Sequence, residues 1–290
     1  MVGSVKDRSA KMKVFNDVVR TSSGRWYAAG TTGSRNFLYE VEKWRKVAEW
    51  KGCQMTACGS VGETIICPAL DGINYLFRDG AILTLEHSDK RAWINGVLAL
   101  DEQTALLVGN TGVYFTLDCA TLQLTRSRLR DSQIEKPGRD LLSVRRLKTE
   151  IIATGTKELL LQWRESGWIN LLPGRSGPMF FWDAIAVGDT IWISAVQGQN
   201  AFLGALNRKS PSVDYYPLPL SGIDAPILDY CNDNFILAGE SILIGKPGKW
   251  QVHAGFSGGG AAGIIRNPGE SRICIIGDGG EKIFISPRNA

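Results

Sequence analysis

The chain has 290 residues, of which 44% are hydrophobic and 21% charged, and its formal net charge is +4. No run approaches the roughly 20 apolar residues of a membrane span and the N-terminus has no signal-peptide pattern, so we expect a cytoplasmic protein without a membrane span. The mild charge argues against a general nucleic-acid binder, and six scattered cysteines without a CxxC pair argue against a disulfide framework.

Similar hydrophobic runs recur along the whole chain, each following a turn. Seven of them end at Gly30, Pro68, Gly109, Gly155, Val196, Gly239 and Gly277. Successive run ends lie 38 to 46 residues apart. A period near 40 residues that carries four strands is typical of propeller blades.

The clearest repeat lies between Trp182 and Tyr216. It contains three hydrophobic runs and a looser fourth one, which we interpret as strands over 184–187, 190–196, 201–206 and 212–216. In other repeats, Trp44, Trp168 and Trp250 stand near the start of the fourth strand. An aromatic ring there can cover the seam between neighbouring sheets, so we predict a packing role for these tryptophans.

This organisation resembles the seven-bladed β-propeller superfamily, although no motif of a specific family recurs. The resemblance implies an all-β domain over residues 1–290, built from four-stranded antiparallel blades. The blades span roughly 15–51, 52–91, 92–136, 137–178, 179–221, 222–258 and 259–290. The last blade lacks a fourth strand, so we predict that an N-terminal strand within residues 1–14 is added to it and closes the ring.

A polar residue stands near the start of four predicted first strands. These residues are Asp17, Asn95, Asp140 and Asp183. Because the first strand of a blade is innermost, they are expected to surround one mouth of the central channel. The alternative is that they cap strand entries by accepting hydrogen bonds from neighbouring backbone N–H groups.

Loops that enter the first strands and turns that join the second to the third strands should share one face. The first set contributes the candidate binding residues Trp93, Arg139, Phe181 and Trp182, and the second set contributes Arg35, Asp71 and Lys157. A separate basic stretch offers Arg126, Arg128, Arg130, Arg145 and Arg146 for an acidic partner, or serves as a solvated, charge-protected edge strand.

Aromatic anchors among mixed polar groups favour a non-catalytic scaffold that binds a protein partner. An inhibitor or immunity-type protein directed at a toxin or enzyme is the narrower hypothesis. The alternative is a glycan-binding or hydrolytic propeller with its site at the channel mouth, and nucleic-acid binding by the basic stretch is a third, less favoured hypothesis. The only histidines, His87 and His253, fall in outer strands, so we predict no metal site, and we predict no cofactor.

Overall fold

The computed structural model describes residues 14–87, 89, 91–129, 139–165, 167–209, 211–221, 226–253, 255–256, 259–267 and 273–286. These residues form 27 strands in seven antiparallel sheets, six with four strands and one with three. The predicted all-β, seven-bladed propeller is confirmed. No α-helix occurs in these ranges, and hence none that could cross a membrane.

The first three blades follow one another along the chain. Blade 1 comprises β1 (Val14–Arg20), β2 (Trp26–Thr32), β3 (Arg35–Glu40) and β4 (Arg45–Lys51). Blade 2 comprises β5 (Gly59–Val61), β6 (Thr64–Pro68), β7 (Ile73–Arg78) and β8 (Ala81–Glu86). Blade 3 comprises β9 (Ile94–Ala99), β10 (Thr104–Gly109), β11 (Val113–Asp118) and β12 (Gln123–Arg128).

The remaining four blades repeat this order. Blade 4 comprises β13 (Leu141–Leu147), β14 (Glu150–Gly155), β15 (Leu159–Arg164) and β16 (Gly167–Asn170). Blade 5 comprises β17 (Phe180–Val187), β18 (Thr190–Gln197), β19 (Asn200–Asn207) and β20 (Ser212–Ser221). Blade 6 comprises β21 (Ile227–Cys231), β22 (Asn234–Ala238), β23 (Ile242–Lys246) and β24 (Lys249–His253). Blade 7 comprises β25 (Ala261–Arg266), β26 (Ile273–Gly277) and β27 (Lys282–Ile285).

Each blade pairs its strands in chain order, and the first strands of neighbouring blades contact one another around the ring. Short glycine turns make this pairing local. Gly188 and Gly198 have φ values of 61° and 58°, the left-handed conformation that tight hairpins require and that glycine adopts without a steric penalty. The blades therefore form as successive hairpins whose innermost strands surround a channel.

The hydrophobic core is divided into seven clusters, each located at a seam between two neighbouring blades. The seam between blades 7 and 1 buries Phe15 and Phe37 against Ile276. At the same seam the backbone N–H of Phe15 donates to the Asp278 carbonyl oxygen at 2.7 Å. The first and last blades are therefore packed together as the other neighbours are.

The predicted closing strand falls on residues 1–13, which lie outside the described residues, and so it stays a prediction. Val14 belongs to β1, where it pairs with Thr31 of the first blade. Trp168 is buried at the seam of blades 3 and 4, and Trp250 packs partly buried at the seam of blades 5 and 6. The predicted packing role of these two tryptophans is confirmed.

An irregularity shared by five innermost strands decides which side chains face the channel. In β1, β9, β13, β17 and β25 the register shifts by one residue near the start of the strand. The inserted residues are Asn16, Asn95, Leu142, Trp182 and Ala262. A β-bulge of this kind reverses the inward and outward alternation that a regular strand would show.

Candidate binding surfaces around the channel

In the bulged innermost strands, the residue two positions before the bulge lies at one end of the channel, and this end is the same in every blade. The strand pairings make Val14, Trp93, Asp140 and Phe180 equivalent in blades 1, 3, 4 and 5. We call these four residues the entry rim. Three of them are exposed large hydrophobic side chains, and Asp140 of blade 4 lies in the ring between Trp93 and Phe180.

Trp93 is held by its backbone while its indole side chain stays 50% exposed. Its N–H donates to Asn110 Oδ1 at 2.8 Å, and its carbonyl oxygen accepts the Asn110 N–H at 2.9 Å. A Cβ on Gly109 would lie 2.3 Å from the Trp93 carbonyl oxygen, so only glycine permits this close approach. The backbone of Trp93 is therefore fixed, and its indole side chain is presented to solvent.

Phe180 is the second exposed aromatic group, at 42% exposure. Its ring meets Trp182 edge to face, with 6.4 Å between the ring centroids. Trp182 is the inserted residue of the bulge, lines the channel and packs partly on the seam of blades 5 and 6. Phe181, which we expected on the binding face, is instead completely buried at the seam of blades 4 and 5. This expectation was wrong because the bulge turns Phe180 outward and Phe181 inward.

Arg139 is a second correction. Its side chain is completely buried, and Nη2 donates to the Arg175 carbonyl oxygen at 2.6 Å. This buried guanidinium is bonded to the connection between β16 and β17 and is not available to a partner at the surface.

Of the candidates from the second set, Asp71 and Lys157 lie in turns between the second and third strands, as expected, whereas Arg35 is the first residue of a third strand, β3. Arg35 is exposed and pairs with Glu49 of β4. Asp71 accepts the Ile73 N–H within its own turn, at 3.2 Å. Lys157 is half-buried in the β14–β15 turn, with a φ of 57°. Asp71 thus holds its own turn, and Arg35 already has a salt-bridge partner.

The channel beside the entry rim contains a cavity of about 390 Å³, lined mainly by innermost strands. Asp17 and Asp183 occupy equivalent positions in β1 and β17, because each lies directly after the bulge. Asp17 Oδ2 accepts the Cys58 N–H of blade 2, and Asp183 Oδ2 accepts the Leu228 N–H of blade 6, both at 2.9 Å. Each carboxylate therefore joins its blade to the next one.

The other two polar residues are not equivalent to these. Asn95 lies in the bulge itself, and its Nδ2 donates to the Leu141 carbonyl oxygen at 2.8 Å. Asp140 lies one residue ahead of β13 and accepts the Thr111 N–H at 2.7 Å. Asp17, Asn95 and Asp183 line the channel cavity, as expected, whereas Asp140 does not. The alternative, capping of backbone N–H groups, is also seen at Asp17, Asp140 and Asp183.

Burial raises the pKa of Asp17 to about 6, although the N–H groups of Cys58 and Val18 lower it. Burial also raises the pKa of Asp183, and Arg145 opposes this shift from 2.8 Å. Both carboxylates are thus costly to ionise in the channel and are engaged by hydrogen bonds. The backbone N–H groups that they accept from give both carboxylates a role in holding the blades together. This role accounts for their position in the channel without a bound molecule.

The basic stretch divides between separate places. Arg126 and Arg128 lie on the outer strand β12, where Arg126 pairs with Asp89 at 2.6 Å. Arg145 and Arg146 lie on the innermost strand β13. Arg130 lies outside the described residues. The four described arginines therefore do not form one surface, because β12 is the outer strand of blade 3 and β13 is the innermost strand of blade 4.

No family model matches the sequence, and no curated protein matches it either. Solved propeller structures do match in fold. Virginiamycin B lyase from Staphylococcus aureus, solved with quinupristin, is 10% identical, with a TM-score of 0.73 and coverage of 95% of each chain. BamB from Moraxella catarrhalis is 14% identical, with a TM-score of 0.61 over 92% of this chain and 83% of that one.

The extracellular domain of the putative one component system BT4673 from B. thetaiotaomicron is 13% identical, with a TM-score of 0.71. The match covers 95% of this chain and 38% of that one, so the chain spans well under half of that domain. At such identities the likeness shows the propeller fold alone. Function has to be argued from the surfaces.

Proposed function

We propose that the protein is a non-catalytic scaffold that binds a protein partner through the entry rim. The observation that carries this proposal is the pair of exposed aromatic side chains, Trp93 and Phe180, at equivalent positions two blades apart. Both belong to or adjoin innermost strands, so little conformational entropy is lost when a partner covers them. Large aromatic groups fixed in this way are the residues that dominate protein-binding energies.

Asp140 adds a polar group between the two aromatic side chains, as the mixed composition of a protein interface requires. An inhibitor or immunity-type protein directed at a toxin or enzyme remains the narrower hypothesis within this proposal. The glycan-binding or hydrolytic alternative would use Asp17 and Asp183. Their carboxylates already hold backbone N–H groups of the next blades, so the geometry favours the rim.

Affinity capture from the native host, followed by binding measurements with the purified partner, tests the proposal. The wild type should capture a specific protein, and the double variant Trp93→Ala, Phe180→Ala should bind it about 30-fold more weakly or worse, as loss of hot-spot residues does. The control is Val252→Ala, Ile169→Ala, which removes two exposed hydrophobic side chains from the outer strands β24 and β16. Equal affinity of the rim variant and wild type would refute the proposal, as would an equal loss in the control.

We further propose that the protein acts in the cytoplasm, and six free thiols support this proposal. Cys58 and Cys67 lie 3.5 Å apart without forming a disulfide. Fractionation of cells that express a tagged chain tests the compartment. Recovery outside the cytoplasm would contradict this part of the proposal without affecting the rim.

A further inference from the structure

The channel end opposite the entry rim is surrounded by cationic side chains. Two adjoining cavities of about 330 and 210 Å³ open there, and both are lined by Arg145, Asp229 and Arg266. Arg146 and Lys148 line the larger one. We call the four cationic residues Arg145, Arg146, Lys148 and Arg266 the basic mouth. They come from blades 4 and 7, on different sides of the cavities.

All four of these cations bond to backbone carbonyl oxygens, and Arg145 Nη1 donates to that of Leu228 at 3.0 Å. Arg146 Nη2 donates to the carbonyl oxygens of Ala99 and Leu100, both at 2.8 Å. Lys148 Nζ donates to the Gly188 carbonyl oxygen at 2.7 Å, and Arg266 Nη1 donates to that of Tyr230 at 2.5 Å. A carbonyl group positions a cation but carries no net charge. These interactions therefore hold the cations in place without neutralising them.

Carboxylates compensate only part of this charge. Asp183 pairs with Arg145 at 2.8 Å, and Asp229 approaches Arg266 at 3.9 Å. Asp229 is the one carboxylate that lines either cavity within the described part of the chain. Four cationic groups against two carboxylates leave two positive charges at the basic mouth.

Donors for a ligand remain at this site. A guanidinium group carries five N–H donors, and the carbonyl contacts of Arg146 and Arg266 each use one nitrogen. Arg266 is 44% exposed, so its group is accessible from solvent. Planar guanidinium groups bind carboxylate and phosphate oxygens in pairs. Of these two anions, a phosphate group carries the larger negative charge and so matches the uncompensated positive charge better.

We infer that the basic mouth binds a small anion that carries two or more phosphate groups. The cations lie around cavities of small-molecule size and not along a track. A nucleic-acid strand would require a track of cations, with aromatic side chains between them. The charge of the site calls for at least two anionic groups, and its position at the far end of the channel makes it independent of the proposed rim.

Titration calorimetry with inorganic tripolyphosphate, at constant ionic strength, tests this inference. The wild type should show one saturable site that binds inorganic phosphate more weakly than tripolyphosphate. Arg266→Gln and Arg146→Gln should each weaken tripolyphosphate binding about tenfold or more, because each removes a charge-assisted contact. Arg164→Gln is the matched control and should bind like the wild type, since Arg164 belongs to β15, away from the cavities.

Three results would overturn the inference. They are the absence of saturable binding at millimolar tripolyphosphate, an equal effect of Arg164→Gln, and tighter competitive binding of a short single-stranded oligonucleotide. If the glutamine variants fail to fold, arginine labelling of the wild type with phenylglyoxal replaces them. Tripolyphosphate should then protect Arg146 and Arg266 but not Arg164, and a lack of this protection would also reject the site.

Discussion

Replacing Asp17 by Asn should remove a pH dependence from the stability of the ring. Oδ1 of Asp17 accepts the Val18 N–H at 2.8 Å, and Oδ2 accepts the Cys58 N–H of the next blade. Burial raises the pKa of this carboxyl to about 6, from an ordinary value of 3.8. The folded protein therefore binds a proton at Asp17 more tightly than the unfolded chain does.

The sign and size of the effect follow from this difference. A raised pKa contributes stability that is complete below about pH 4 and is lost as the pH rises through about 6. Between about pH 5 and about pH 7.5, the two pKa values predict a loss of about 1.4 kcal/mol in the free energy of unfolding. Asn cannot ionise and gives up one acceptor, which costs about 1 kcal/mol at every pH.

Urea unfolding of the wild type and Asp17→Asn across this pH range measures the effect. From about pH 5 to about pH 7.5, the free energy of unfolding of the wild type should fall by about 1.4 kcal/mol relative to that of Asp17→Asn. Asp101→Asn is the control, because hydrogen bonds from the Gln103 and Thr104 N–H groups lower the pKa of Asp101 and place its titration below this range. A constant difference between the wild type and Asp17→Asn would refute the assignment of a raised pKa.

Two further predictions concern the contacts between blades. Glu63 of blade 2 accepts hydrogen bonds from Ser22 and Ser23 and pairs with Arg25 of blade 1 at 2.8 Å, so Glu63→Gln should lower the free energy of unfolding by about 1 kcal/mol in urea. Burial raises the pKa of Glu63, but these hydrogen bonds outweigh it and lower the pKa to about 2. The stability that Glu63 contributes to the wild type should therefore disappear as the pH falls from about 4.5 to about 2. A wild-type advantage that stays constant over this range would contradict the prediction. Removal of residues 1–13 should lower the melting temperature by about 5 °C or more, because the predicted closing strand would no longer cover the edge of β27, and unchanged melting would disprove that closure.

The repeat could be predicted from the sequence because its signals are local. In blade 5 the strand ends beside the Gly188 and Gly198 turns fall within one residue of the prediction, since these turns fix them. The outer ends are not fixed in this way, and β17 begins at Phe180 and β20 ends at Ser221, beyond the predicted 184 and 216. The small residue at the end of the second strand also has a physical cause. At Gly109 and Gly155 a Cβ would lie 2.3 and 2.1 Å from the carbonyl oxygens of Trp93 and Asp140.

The orientation of the rim side chains could not be predicted in this way. Phe180, Phe181 and Trp182 are consecutive, and a β-bulge alters their alternation without a distinctive residue type. Phe180 and Phe181 together were the available signal of an exposed aromatic residue, because only one of two consecutive side chains could occupy the seam between the blades. The basic mouth was also hidden, since Arg146 and Arg266 are 120 residues apart and meet only when the ring closes.

Arg145 lies between the cavity beside the entry rim, whose carboxylates maintain the fold, and the basic mouth, which we propose to bind an anion. It lines both the 390 Å³ cavity beside the entry rim and the larger cavity at the basic mouth. Among the four cations of the basic mouth, it alone is paired with a buried carboxylate, that of Asp183. Its Nη1 also donates to the Leu228 carbonyl oxygen, which links blade 4 to blade 6. Loss of Arg145 would leave Asp183 buried without its counter-charge, and such unpaired charges cost several kcal/mol. A binding defect in an Arg145 variant would therefore be inseparable from a folding defect, whereas Arg146 and Arg266, anchored by neutral carbonyl groups, can report on an anion directly.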